Sequence, residues 1–352
     1  MTRLISTANV RNAVLDLLYS ERSTRIPKFT FRSQQTLPPG KRSNNDPKYV
    51  ILVFEEPSTR THKSFEVAAR AEGCEVLSVG GGSSLLKGES MIDTIENLIS
   101  IVGSSNVVAV VTRTRLREDR TELLTRLGMF YPQIFFINAG DSDGHHPTQA
   151  LGDALALARA WDEQGTRTRE EIFAGKVVTL IGDVEASRVA RSVYELFTRL
   201  GITVAFGQVA KQDIRGTFPG ARIFETRDEA LEQSDAIMCL RYQANRMRPG
   251  TSELTEELMF PQWRIHARDL EDSPDLLLMH PGPVMWADRP SQDLMIMEQG
   301  QGYRDGWLSH DLRDHDQCIV LDQARACADV RRMLLAMCHP NHAYNTLIQA
   351  WG

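Results

Sequence analysis

Residues 54–65 read Phe54-Glu-Glu-Pro-Ser-Thr-Arg-Thr-His-Lys-Ser-Phe65, directly after the apolar run that begins at Tyr49. An apolar run of strand length, a turn at Pro57 and a hydroxyl-rich start to a helical stretch describe a strand that passes straight into a helix. Such a junction leaves the first backbone N–H groups of the helix unpaired, at the positive end of its dipole. Ser58, Thr59 and Thr61 add donors there and Arg60 adds a forked cation, a combination suited to a phosphate group. The same residues also read as an ordinary Ser/Thr helix cap, and at this point both readings stand.

The pattern repeats outward from that stretch. Strand-length apolar runs at Tyr49 to Phe54, Glu75 to Val79, Val107 to Thr112 and Gln133 to Asn138 alternate with helical stretches at Ser58 to Glu72, Ser90 to Ile101 and Glu122 to Gly128. After a long helical run from His146 to Trp161, further strands are expected at Lys176 to Ile181, Ile202 to Phe206, Asp235 to Leu240 and Asp275 to Met279. Strands alternating with helices predict a parallel sheet covered on both faces, so the fold class is α/β with two consecutive parallel-sheet domains. The polar segment Asp162 to Glu171 is the expected boundary. Ala324 to Cys338 reads as a terminal helix that packs back on the first domain.

At 352 residues the chain has room for two ordinary domains. Its composition, 42% apolar and 24% charged, is that of a globular protein. The first residues lack the apolar core of a secretory signal and no run is long enough to span a membrane, so a cytoplasmic location is expected. The 5 cysteines are odd in number and lack CxxC spacing, which argues against a disulfide framework or a cysteine zinc site and for buried thiols. A net charge of −6 disfavours general nucleic-acid binding, yet leaves room for a locally positive cleft that attracts small anions.

Other segments add chemistry. Gly80 to Ser90 reads as a glycine-rich loop that carries Ser83, Ser84 and Lys87 outward, or as a plain solvated loop. Arg113 and Arg241 follow strands, with Gln243 and Arg246 just beyond, where open α/β sheets bind ligands. Arg188 stands at a strand–turn–helix junction that lacks GxGxxG, so no dinucleotide fingerprint is present. His146 and Gln149 open a helix whose first position is Pro147. His145 and His146 have no partner at metal-ligand spacing and read as hydrogen-bonding histidines. The His280-Pro-Gly-Pro283 turn presents rigid backbone carbonyls suited to an NH2 group.

Taken in order, Ser58-Thr-Arg-Thr61, Lys87-Gly-Glu89, Arg113, His146-Pro-Thr-Gln149, Gly182-Asp183 with Arg188, Arg241-x-Gln243-x-x-Arg246 and His280-Pro-Gly-Pro283 resemble the aspartate/ornithine carbamoyltransferase superfamily over nearly the whole chain. Within it the chain looks most like the aspartate enzymes. The resemblance implies a carbamoyl phosphate domain at 1–150, an amino-acid domain at 151–323 and a returning helix at 324–352. Ser58, Thr59, Arg60, Thr61 and Arg113 would then hold the phosphate, and Thr61, Arg113 and His146 would point at the carbamoyl oxygen. Gln149 and the backbone carbonyls of Pro281 and Gly282 would hold the carbamoyl NH2. Ser83 and Lys87 would reach in from a neighbouring subunit of a homotrimer, and Arg60, Thr61, Lys87, Arg113 and His146 form the implied catalytic set. Arg188 would bind an α-carboxylate, and Arg241 with Gln243 a side-chain carboxylate.

The implied reaction gives N-carbamoyl-L-aspartate and phosphate from carbamoyl phosphate and L-aspartate, the carbamoyl step of pyrimidine biosynthesis, without cofactor or metal. The resemblance leaves room for a regulatory or dihydroorotase-type partner and calls for neither nucleic acid nor membrane. A different amine acceptor and a non-catalytic relative are the alternative readings. Four departures stand out: Thr114 where the family often has histidine, a long and unusually charged stretch from Arg115 to Tyr131, Cys327 where an Asn-Gly pair would normally end in glycine, and an apparent insertion across 284–317.

Overall fold

The computed structural model describes residues 3–4, 6–20, 47–80, 89–114, 120–141, 144–209, 213–240, 262–282, 284 and 312–339. The chain divides into two compact units, Met1–Arg169 with Ala326–Gly352, and Glu170–Arg325. Among the described residues, no helix is long and apolar enough to cross a membrane.

The first unit runs β1 (Arg3–Leu4), α1 (Asn12–Ser20), β2 (Tyr49–Phe54), α2 (Thr59–Ala71), β3 (Glu75–Gly80), α3 (Met91–Val102), β4 (Val107–Thr114), α4 (Arg120–Phe130), β5 (Phe135–Asp141) and α5 (Pro147–Trp161). Its sheet has the order β1-β5-β4-β2-β3, and all its pairings are parallel. β4 and β5 are buried along their whole length and β2 along all but Tyr49, as strands covered on both faces must be. On one face Ile51, Val53, Val110 and Phe136 pack against Ile95 and Ile99 of α3 and Leu123, Leu124 and Leu127 of α4. Burying each such side chain contributes on the order of 1.5–3 kcal/mol.

The second unit follows with α6 (Arg169–Phe173), β6 (Val177–Gly182), α7 (Arg188–Arg199), β7 (Thr203–Gly207), α8 (Ile214–Thr217), β8 (Arg222–Phe224), α9 (Arg227–Gln233), β9 (Ala236–Leu240), α10 (Arg268–Glu271), β10 (Leu277–Met279) and α11 (Val320–Cys338). Its sheet order is β10-β9-β6-β7-β8, again parallel throughout. Residues 317–319 run along β10, with Leu278 N–H donating to Gln317 O at 2.8 Å and Ile319 N–H to Leu278 O at 3.0 Å.

From Ala326 onward α11 belongs to the first unit. Arg332 Nε lies 2.7 Å from Glu72 Oε1 at the end of α2, and Arg159 Nη1 of α5 lies 2.7 Å from Asp329 Oδ2. The departure at Cys327 has a local reason. A Cβ placed on Gly152 of α5 would lie 2.3 Å from Cys327 Sγ and 2.7 Å from its Cα, so Gly152 supplies the close helix approach that a cysteine at 327 leaves intact. Burial pushes the Cys327 and Cys74 thiols up to about 12, and Cys239 and Cys338 are buried too. Cys318 alone of the five is partly exposed.

β1 and β8 carry no readable periodicity, because two- and three-residue strands have none. β4 and β5 run further than hydrophobicity predicts: the pairs Phe54↔Arg113 and Thr114↔Asp141 extend the ladder through polar residues. Arg113 therefore sits inside its strand rather than after it.

Gly152→Ala is expected to lower stability by about 1–3 kcal/mol, since the added methyl meets backbone as well as Sγ. Denaturant unfolding measures it, and adding Cys327→Ala should restore only part of the loss.

Candidate functional site

Parallel pairing puts the carboxyl ends of β2, β4 and β5 side by side, and these ends with the segments leaving them carry Ser58 to Thr61, Arg113, His146 and Gln149. Glu55 N–H donates to Arg113 O at 2.9 Å, which ties the Glu55-to-Ser58 turn to the end of β4. Ser58 takes the extended N-cap conformation ahead of α2, yet its side chain makes no capping bond. Ser90, Ser187, Asp213 and Thr226 all cap their helices in the ordinary way. The capping reading of Ser58 thus holds for its backbone and not for its hydroxyl.

The first turn of α2 holds no acidic residue and includes Arg60. Cations at a helix start oppose the dipole at a cost of about 0.3–1 kcal/mol each, an arrangement that favours anion binding over helix stability. Thr59 and Arg60 are exposed and Thr61 is buried.

Arg113 is only 6% exposed. Its Nη1 donates to Ala139 O at 3.3 Å and its Nη2 stands 3.4 Å from Glu56 Oε1, so the fork is held from two sides. His146, 5% exposed, occupies the N-cap of α5 with Pro147 next to it. Gly140 brings the two together: at φ 109°, a Cβ there would lie 3.0 Å from Arg113 Nη1 and 3.1 Å from His146 Cδ2. A side chain at that position would displace both.

The turn between β5 and α5 is braced by residues that the sequence reading passed over. Asp141 Oδ1 accepts from His145 N–H at 2.6 Å, and its Oδ2 accepts from Asn138 Nδ2 at 3.0 Å. Asn138 Oδ1 accepts from Gly140 N–H at 2.8 Å. His145 thus serves the turn through its backbone. Gln149 is buried on the first turn of α5, and its Nε2 donates to Asp153 Oδ1 at 2.8 Å. The Asn-x-Gly-Asp spacing was the available signal for this turn; nothing local marked Glu56 or Asp153 as partners of site residues.

In the second unit the equivalent edge is formed by β6, β9 and β10. Gly182, at φ 112°, lets the end of β6 pass close to β9, where a Cβ would lie 2.2 Å from Leu240 O. Asp183 Oδ1 accepts from Ala186 N–H at 3.3 Å and Ser187 caps α7 through Ala190 N–H. Arg188 follows as the first residue of α7, 7% exposed, again in a first turn without an acidic residue. After β10, buried His280 receives Gly282 N–H on Nδ1 at 2.7 Å and donates its own N–H to Gln323 Oε1 at 2.8 Å. Those bonds, with Gly282 at φ 65°, hold the turn bearing the Pro281 and Gly282 carbonyls.

Ser83, Ser84, Lys87, Arg241, Gln243, Arg246 and Pro283 lie outside the described residues, as does most of 284–317. Among the described residues, no group of 3 or more His, Cys, Asp or Glu side chains is arranged to hold a metal ion.

Residues 28–159 match the family described as aspartate/ornithine carbamoyltransferase, carbamoyl-P binding domain. The chain is 32% identical to an aspartate carbamoyltransferase catalytic subunit from Sorangium cellulosum, over 82% of this chain and 79% of the relative. It is 33% identical to one from Corynebacterium urealyticum, over 81% of each. Among solved structures, aspartate transcarbamoylase from Trypanosoma cruzi bound to N-(phosphonacetyl)-L-aspartic acid shares the fold with a TM-score of 0.68 at 23% identity, over 95% of this chain and 94% of that one. Ornithine carbamoyltransferase from Pyrococcus furiosus does so with a TM-score of 0.60 at 23% identity, over 83% and 84%.

Gly140→Ala is expected to weaken binding of inorganic phosphate by roughly tenfold or more, because the methyl pushes on Arg113 and the backbone strain costs on the order of 1 kcal/mol. Titration calorimetry at matched folded fraction reads it.

Proposed function

The chain belongs to the aspartate/ornithine carbamoyltransferase superfamily, and we propose that it transfers the carbamoyl group of carbamoyl phosphate to the amino group of L-aspartate. Carbamoyltransferase chemistry comes with the family. The choice of aspartate is supported by the similarity to catalytic subunits of that specificity and by a buried arginine at the start of α7. The observation that carries the reading is the clustering of Arg113 and His146 around Gly140, beside a helix start that carries Arg60 and a Ser58 hydroxyl not used for capping.

In this reading Ser58, Thr59, Arg60, Thr61 and Arg113 bind the phosphate, while Thr61, Arg113 and His146 face the carbamoyl oxygen. The uncharged amine of aspartate attacks the carbamoyl carbon, and negative charge gathers on that oxygen. The C–O bond to phosphate then breaks, and the leaving phosphate takes the proton lost by the nitrogen. Fixed donors and cations stabilise both developing charges; removing one such donor typically costs on the order of 10² to 10³ in rate. Gln149, Pro281 and Gly282 accept hydrogen bonds from the carbamoyl NH2, and Arg188, Arg241 and Gln243 hold the two carboxylates. Holding two mutually repelling anions in register contributes a further part of the acceleration. Ser83 and Lys87 act from a neighbouring copy in a homotrimer, and the protein works in the cytoplasm.

Purified protein is expected to form N-carbamoyl-L-aspartate, identified by product mass against a panel of amine acceptors. Carbamoyl phosphate binding without any carbamoyl-aspartate at saturating substrates would sink the assignment. Arg113→Ala should lower kcat by about 10² or more, whereas Arg188→Ala should act chiefly on the KM for the acceptor. Mixed trimers of Lys87→Ala and Arg60→Ala chains should regain activity that neither variant has alone. Hybrids that form and stay inactive would remove the shared site.

A further inference from the structure

Gln149 can recognise an NH2 group only with its oxygen, and a glutamine amide carries a donor at one end and an acceptor at the other. Free to turn over, it would as readily offer its own NH2, setting donor against donor. In this chain Gln149 Nε2 donates to Oδ1 of Asp153, one turn along α5, over 2.8 Å. Asp153 is 0% exposed, and a carboxylate offers acceptors alone, so the bond decides which end of the amide faces away.

Arg331 of α11 is buried as well; burial pulls its pKa down, and the Cys327 and Asp153 charges act on it only at a distance. Arg331 is fixed in turn: Nη1 donates to Ser64 Oγ at 2.6 Å, and its Cζ lies 5.5 Å from the centre of the Phe65 ring. Ser64 Oγ donates to Thr61 O at 2.9 Å. One buried cation on α11 thus braces the first turn of α2 through Ser64.

We propose that Asp153 is a positioning residue that locks the Gln149 amide with Oε1 toward the substrate and so makes the site select an acyl phosphate bearing an NH2 over one bearing a methyl. The proposal rests on the assignment of Gln149 to the carbamoyl NH2. It concerns discrimination rather than phosphate affinity, because neither Gln149 nor Asp153 is assigned a contact with phosphate.

The test compares binding of carbamoyl phosphate, acetyl phosphate and inorganic phosphate by calorimetry. Wild type should prefer carbamoyl over acetyl phosphate. Asp153→Asn, which can donate as well as accept, should reduce that preference roughly tenfold while leaving inorganic phosphate within about twofold. The double variant Gln149→Glu with Asp153→Asn keeps charge and volume; the introduced glutamate accepts from the introduced asparagine with one oxygen and turns the other to the substrate. It should regain the preference, although every anion binds it more weakly. An unchanged preference in Asp153→Asn, or a parallel loss of all three ligands, overturns the proposal. Should Asp153→Asn fail to fold, the double variant decides alone: retained preference supports the lock and lost preference refutes it. If wild type binds phosphate without preferring carbamoyl phosphate, the carbamoyl reading of Gln149 falls and this proposal with it.

Discussion

Parallel strand pairing is the constraint on which the rest of this protein depends. All pairings in both sheets are parallel, so the chain must return from the end of each strand to the start of the next, mostly through a helix. Those helices begin at the carboxyl edge of the sheet, where α2, α5 and α7 direct unpaired N–H groups and the positive ends of their dipoles. A protein of net charge −6 thereby acquires local edges that attract anions.

The side chains placed there work against local stability. Arg60 and Arg188 stand in first turns that hold no acidic residue, and Arg113 is nearly buried. The fold offsets this with aimed partners: Glu56 and the Ala139 carbonyl for Arg113, and Gly140 as the space in which Arg113 and His146 meet. Buried ion pairs are weak contributors to stability, because desolvation consumes much of their Coulomb energy. The bond from Gln149 Nε2 to the buried Asp153 carboxylate is better understood as setting an orientation, that of the amide, than as strengthening the core.

Long elements were legible because their side-chain periods are strong. β2 begins and ends at the residues expected, and α3 and α5 lie within a residue or two of expectation. Short edge strands were not legible, since Arg3–Leu4 and Arg222–Phe224 form only where a neighbouring strand offers a register. The polar ends of β4 and β5 were hidden for a related reason: Arg113 and Asp141 look like loop residues until pairing across the sheet extends the strands through them.

By itself, the sequence determined the alternation of strands and helices, the order of the motifs and the chemical types gathered for an anion, because these depend on local spacing and composition. Tertiary structure decided which of them touch. Glu56 beside Arg113, Gly140 between Arg113 and His146, Gly152 against Cys327, and Arg331 reaching Ser64 from the far end of the chain join residues whose neighbours in sequence carry no trace of the partner. Such contacts arise from how strands pair and helices pack, and distance along the chain says nothing about them.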